Sequence, residues 1–427
     1  MNFFNRHKDL FLIKLFSVNS LGVLGRSALV IFSQKIVAVF LGPEGMALVG
    51  NLKNAMALLG LGASFGVDQG VLNYQSKHEG ENQHLKKLYG TSLAFSVIGS
   101  IIVFCVLFFG SKFWSNYVFN TAKFDYLFII LSFILPFTAI YNLCFSIISG
   151  KSNYKKATII SFTANALSTL LVLLFVFKYQ LSGVLLAVTL TPVLQLLSLV
   201  VFGRNEIKLL LKSKIQFNKL FRSKLMGFII MAFVAVVLSN LVDIELRNYL
   251  TEEISSQNAG YWTAITSLST YYLSFMAGIY TLYILPKYAK IESFKAYKLE
   301  LINIYKIILP IFIIMFLGIY LGRDFIIEIL YSKAFSPMKV LFKWQLIGDV
   351  VKIVAVVMAY QLVAKNKWKL FILTEFMSYA LFYFLGIYFV EKNGVEGIVF
   401  AHFVRYLLYL LIIVWSVRYI FKKSDAK

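Results

Sequence analysis

The 427-residue chain is 59% hydrophobic and 17% aromatic, only 15% of it is charged, and its mean hydropathy is +0.76. Too few charged residues remain to cover a water-soluble surface, so the composition defines an integral membrane protein. A formal charge of +22 would point a soluble chain toward nucleic acid, but here Lys and Arg gather in the short segments between apolar runs, which excludes that partner and names the lipid bilayer instead.

Taken in chain order, the N-terminal MNFFNRHKDLFLIKLF has a basic start, but the apolar run behind it is interrupted by Asn19 and Arg26 and has no small-x-small cleavage site. It reads as an uncleaved first span. A window of about 20 apolar residues then predicts twelve membrane spans, at roughly 11–41, 45–70, 88–110, 126–149, 157–177, 182–202, 225–247, 258–286, 301–322, 341–363, 370–390 and 396–417. Between the first two, Gly42, Pro43, Glu44 and Gly45 form a tight reversal: Pro43 lacks an N–H and fixes its φ, while the glycines accept positive φ. Cys105 and Cys144 lie in separate apolar runs without metal-ligand spacing, so neither a disulfide framework nor a metal site is indicated.

An even number of spans places both termini on one face. With that face cytoplasmic, 26 of the 42 basic residues fall in inside segments and eight in outside ones. The imbalance predicts cytoplasmic termini. The longest inside connection, GRNEIKLLLKSKIQFNKLFRSK, is basic and amphipathic, suits an anionic leaflet, and falls halfway along the chain. The expected organisation is therefore a six-helix bundle over 1–203, a basic linker over 204–224 and a second six-helix bundle over 225–427. Matches at a constant offset of 214 support a duplication: Lys151 with Lys365, Tyr154 with Trp368, Lys155 with Lys369, Gly183 with Gly397, and Ala187 with Ala401. Six spans per copy make the copies parallel, as in transporters built from repeats.

FLGPEGMALVGNLKN after an arginine-bearing first span, the twelve spans, the basic middle linker and the 6+6 halves resemble the polysaccharide-transporter branch of the multidrug/oligosaccharidyl-lipid/polysaccharide (MOP) exporter superfamily. Within it the likeness is to Wzx-type O-antigen or enterobacterial common antigen flippases. The resemblance implies an all-α membrane fold of two parallel six-helix bundles around a central cleft, with no cofactor and no catalytic residues. It also implies movement of undecaprenyl-pyrophosphate-linked oligosaccharide across a bacterial inner membrane, coupling to a proton or sodium gradient, and other polysaccharide-assembly membrane proteins as partners.

Eight basic residues remain within or at the edges of the predicted spans. Lys14, Lys306 and Lys343 are near enough to an end to snorkel, and Lys35 lies on the opposite helix face from Arg26. Arg26 is mid-span, on a stripe with Asn19, where an isolated arginine costs about 2.5 to 3.5 kcal/mol; it must meet protein or water, as an ion pair or a substrate contact. Lys53, flanked by Asn51 and Asn54, is about two turns into the second helix and would add a second cation for a diphosphate. In the second half, Gln345, Asp349 and Lys352 share one helix face, Glu375, Ser378 and Tyr379 another, and His402, Arg405 and Tyr409 a third. Lys352 and Arg405 are candidate substrate contacts, Glu375 and Asp349 candidate ion-coupling carboxylates. Their structural alternatives are an Asp349–Lys352 pair, a Glu375–Arg405 pair, and a packed core histidine at His402; Asp243 and Arg247, four apart, suggest a local pair.

Rival activities fit less well. A membrane polymerase or glycosyltransferase needs a catalytic outer loop, and the predicted outside connections are short and lack an acid pair beside metal ligands. A drug exporter for cations favours an acidic, aromatic lumen, against the sign of Arg26 and Lys53. There is no G-x-x-x-x-G-K-[ST] motif, which argues against direct use of ATP.

Overall fold

A computed structural model describes residues 6–77 and 82–425, and for a few of these, including everything before Gly25 and Arg26 itself, the backbone alone. Every regular element among the described residues is helical: α1 Arg6–Ser64, α2 Val67–Lys77, α3 Asn82–Phe109, α4 Ser111–Phe119, α5 Asp125–Gly150, α6 Tyr154–Thr189, α7 Thr191–Phe202, α8 Arg204–Leu211, α9 Lys219–Glu253, α10 Ser256–Ile279, α11 Leu285–Lys290, α12 Phe294–Leu321, α13 Arg323–Leu330, α14 Leu341–Ala364, α15 Trp368–Asn393 and α16 Val395–Asp425. In hydrocarbon, a helix satisfies its backbone groups internally, so long apolar helices are what this composition dictates. Phe109, Leu321 and Ile314 are exposed outward, as lipid-facing side chains are.

Nine described helices are long and apolar enough to cross a membrane, against twelve stretches expected from hydropathy. The difference has a local cause. Arg6–Ser64 is two helices that abut at the Gly-Pro-Glu-Gly segment, divided by Gly42 (φ 63°, ψ −167°) as the expected reversal requires, so two apolar runs follow each other with no loop between them. Pro43 follows the break, where its missing N–H removes no intact helical bond. Helix α6 is likewise broken at Gln180 (φ 49°, ψ −128°) and holds the fifth and sixth stretches up to Thr189. The eighth, at the level of α10 and α11, is rich in hydroxyl groups and does not reach the same mean hydropathy.

The offset of 214 reappears in the backbone. At the α5–α6 corner, Lys151, Ser152 and Asn153 donate to the carbonyls of Ile147, Ser149 and Ile148 (3.1, 2.9 and 3.2 Å); at the α14–α15 corner, Lys365, Asn366 and Lys367 donate to Gln361, Val363 and Leu362 (3.1, 3.0 and 2.8 Å). The middle residue is left-handed in both, Ser152 at φ 55° and Asn366 at φ 51°. Gln180 has its counterpart in Gly394 (φ 59°, ψ −146°). Three residues on, a Cβ on Gly183 would lie 2.3 Å from the Phe175 carbonyl, and one on Gly397 1.9 Å from that of Phe389, which is why both positions are glycine. The two corners repeat bond for bond, and the two breaks repeat in backbone angles and in the glycine that follows.

The described chain divides into two compact units: residues up to Phe40 with Met56–Phe233, and Leu41–Ala55 with Val234 onward. In the first unit, Val67, Leu88, Tyr89, Cys144, Ile147 and Leu225 are among the fully or almost fully buried core. The middle connection belongs to it: Glu206 on α8 bonds Lys156 on α6 at 2.5 Å, and Asn218 N donates to Thr91 Oγ1 at 3.3 Å. In the second unit, α16 packs along α14 and α15, with α10 against α14. The stretch after Gly42 joins this unit through Arg247, which is 3% exposed and donates Nε to Thr263 Oγ1 (2.8 Å) and a terminal N–H to Asn51 Oδ1 (2.6 Å). Asp243, one turn earlier on α9, adds the expected Coulombic attraction to Arg247, and the hydrogen bonds are each worth about 1.5 to 3 kcal/mol because the donor is charged.

Candidate substrate site

Within the second unit a cavity of about 320 Å³ opens among α14, α15 and α16, and its walls carry Lys352, Glu375, Arg405, Tyr360, Tyr379 and Tyr406. Arg405 is 5% exposed. Its Nε donates to Ser378 Oγ at 2.8 Å, and its guanidinium lies 4.1 Å from the Tyr379 ring centroid, 4.8 Å from Tyr406 and 5.0 Å from Phe382. Rings on several sides hold the planar group in one orientation. The Lys352 ammonium sits 5.5 Å from the Tyr406 ring. Glu375 accepts a hydrogen bond from Tyr409 (2.7 Å), and among the described residues no ion pair joins it to Arg405. Two cations and one carboxylate leave the cavity walls one positive charge in excess.

Asp349, one turn before Lys352, is fully buried behind this cavity. Its carboxylate accepts from Ser269 (2.7 Å) and Tyr272 (2.5 Å) on α10 and from Gln345 (3.1 Å), and lies 3.0 Å from His402 Nε2. The structure thus pairs Asp349 with His402, not with Lys352, and His402 is more than a packed core residue. The ring can approach because position 348 is glycine: a Cβ there would fall 2.6 Å from His402 Cδ2.

The first copy shows what the fold needs without these charges. Subtracting 214 places Thr138 where Lys352 stands, Ser161 for Glu375, Thr191 for Arg405, Leu135 for Asp349 and Val188 for His402. The same helical corners form with neutral residues at all five positions. The charged set is an addition to the architecture, concentrated in one copy.

The remaining candidates are dispersed. The side chains of Asn19 and Arg26 lie outside the described residues. Asn51 is buried, accepting from Arg247 and donating to Asn248 Oδ1 at 2.8 Å, so its amide serves the packing of α1. Lys53 is exposed, and beside it the buried Asn54 Nδ2 has no hydrogen-bond partner. Lys53 and Asn54 belong to the same unit as the cavity but do not line it. Sequence reasoning passed over Ser269, Tyr272, Tyr360 and Tyr406. The available signal was the hydroxyl-rich SLSTYYLS within an apolar stretch, and a tyrosine directly after an intramembrane arginine.

No family model matches the chain. Among solved structures, an inward-facing multidrug resistance MATE family transporter of the MOP superfamily superposes with a TM-score of 0.76 at 12% identity, covering 94% of this chain and 96% of that one. The lipid II flippase MurJ, in an inward closed conformation, gives 0.71 at 15% identity over 94% and 87%. The chain therefore has the fold of these MOP transporters. Its sequence is similar to the lipid III flippase of Escherichia coli K12, with 27% identity over 385 residues, 88% of this chain and 90% of that protein. The Shigella flexneri lipid III flippase matches to the same extent. The expected all-α membrane architecture and the resemblance to the MOP exporters are therefore borne out.

Proposed function

We propose that this protein is a flippase that carries undecaprenyl-pyrophosphate-linked oligosaccharide, of the O-antigen or enterobacterial common antigen type, from the cytoplasmic to the periplasmic leaflet of a bacterial inner membrane. The observation that carries the reading is the similarity to lipid III flippases along nearly the whole chain, both copies included. The cavity chemistry agrees with it. A diphosphate and several sugars must leave water to cross about 30 Å of hydrocarbon while the polyprenyl tail stays in lipid. A partly enclosed cavity with two cations and an excess positive charge suits the anionic part, and its tyrosine rings and hydroxyls suit sugar faces and hydroxyl groups. Arg26, Lys53 and Asn54 are read as further contacts along the path. The copies over 1–203 and 225–427, joined by the 204–224 linker, are read as the two arms of alternating access, with both termini cytoplasmic.

Ion coupling is assigned to Glu375 before Asp349. Glu375 lines the cavity and has one hydrogen-bond donor, Tyr409, whereas Asp349 is enclosed by three donors, Ser269, Tyr272 and Gln345, and the His402 imidazole. A proton or sodium ion reaching the cavity meets Glu375 first. The second reading, export of organic cations, is favoured by the cavity's tyrosines and single carboxylate and by the MATE likeness, but opposed by the sign of its net charge. The test is restoration of surface glycan in Escherichia coli cells lacking their lipid III flippase. Restoration by this chain supports the proposal, and its absence alongside resistance to cationic drugs supports the second reading.

A further inference from the structure

A second cavity, of about 790 Å³, lies elsewhere, where α15 begins and α16 ends. Its lining carries Lys365, Lys367 and Lys369 beside Leu370, Leu373 and Phe421. Trp368 and Tyr419 flank it, at the ends of the apolar helices Trp368–Asn393 and Val395–Lys422, the depth at which amphipathic rings mark the membrane–water boundary. Lys365 Nζ is tied back to the Ala289 carbonyl at 3.1 Å, and Lys369 lies 5.4 Å from the Trp368 ring. Lys367 and Lys369 are exposed, and the one acid in the lining is Glu292.

The duplication explains why this cleft is open. In the first copy the corresponding corner is Lys151, Asn153 and Lys155, followed by Lys156 where the second copy has Leu370. There, α7 stops at Gly203 and α8 turns across against α3 and α5, so that Glu206 neutralises Lys156 at 2.5 Å. In the second copy Val417 occupies the place of Gly203, and α16 runs on without a break to Asp425. The basic corner is kept, with no covering helix and no acid equivalent to Glu206 among the described residues.

We propose that this cleft binds the headgroup of an anionic phospholipid. The three lysines and the N-terminal end of α15 face the phosphate, and the apolar part of the lining, with Leu373 half exposed, receives the start of an acyl chain. A lining that sets cations beside apolar side chains matches a lipid, whereas a free phosphate needs only the cations. The charge count assigns this end of the helices to the cytoplasmic leaflet, where basic segments meet anionic lipid.

Native mass spectrometry of the detergent-solubilised chain, titrated with phosphatidylglycerol or phosphatidylcholine, tests the site. Two net cationic charges at about 1 kcal/mol each predict a preference for phosphatidylglycerol of roughly thirtyfold. The triple variant Lys365→Gln, Lys367→Gln, Lys369→Gln should bring that preference close to unity at an unchanged thermal midpoint. Glu292→Gln, which removes the opposing charge, should strengthen retention severalfold, a gain that misfolding does not mimic. Equal retention of the two lipids by the wild type, or a preference that survives the triple variant, would overturn the proposal. So would inorganic pyrophosphate binding that depends on the three lysines without any lipid preference.

Discussion

Replacing Arg405 by methionine keeps an unbranched side chain of similar reach and removes the charge. The cavity walls then hold Lys352 and Glu375, and the net charge falls from one positive to zero. For a phosphate about 5 Å from the guanidinium, at an effective dielectric near 20, each unit of charge contributes roughly 3 kcal/mol, or about two orders of magnitude in affinity. The substitution also strips Ser378 of its charged donor and three rings of their cation, so the thermal midpoint should fall too, by about 2 to 4 kcal/mol in stability. The two effects separate in Arg405→Lys, which keeps the charge but loses the planar fork: affinity should stay within about tenfold while the midpoint still drops. Calorimetric titration of the solubilised protein with farnesyl diphosphate, a short water-soluble polyprenyl diphosphate, beside thermal melts, reads both quantities. If wild type binds and Arg405→Met binds within threefold of it, the cavity does not recognise the diphosphate.

Glu375→Gln should abolish the dependence of transport on an imposed ion gradient while farnesyl diphosphate binding is kept and, with the one wall carboxylate neutralised, tightened; if gradient dependence persists there and also in Asp349→Asn, neither carboxylate couples. Gln180→Gly should raise the thermal midpoint, by about 1 kcal/mol in stability, because a left-handed backbone favours glycine there as it does at Gly394; a lower midpoint would show that the Gln180 side chain matters more than its φ. Arg26→Ala and Lys53→Ala should each stop translocation at normal membrane abundance, with the double variant little worse than either if one bound group meets both; normal transport in either variant removes that residue from the path. A reporter inserted within 212–218 should be cytoplasmic and one between Glu252 and Ser256 external, and the reverse pattern would invert the proposed direction of transport.

Hydropathy located the helical stretches because a bilayer leaves little alternative to apolar helices of about 20 residues. The same reading divided the first two spans at Gly42 and the fifth and sixth near Gln180, where a single positive-φ residue separates helices that abut without a loop. The offset of 214 was legible in a handful of matched residues, and the corner hydrogen bonds share it. The partners of the buried charges were not legible. Asp349 has Lys352 three residues away and His402 fifty-three away, and helical spacing reports which face a residue occupies, not what stands opposite. Asn51 looked like a sugar ligand for the same reason; nothing near it in sequence shows that Arg247 would take up its amide oxygen.

The most direct test reconstitutes the purified protein in vesicles carrying a fluorescent undecaprenyl-pyrophosphate oligosaccharide in one leaflet and follows its appearance in the other, with a cationic dye as the competing cargo. The account predicts protein-dependent movement of the glycolipid, its loss when Lys352 and Arg405 are both replaced by methionine, and no uptake of the dye. Glycolipid movement no faster than in protein-free vesicles, or dye transport that persists in the double variant, would contradict it.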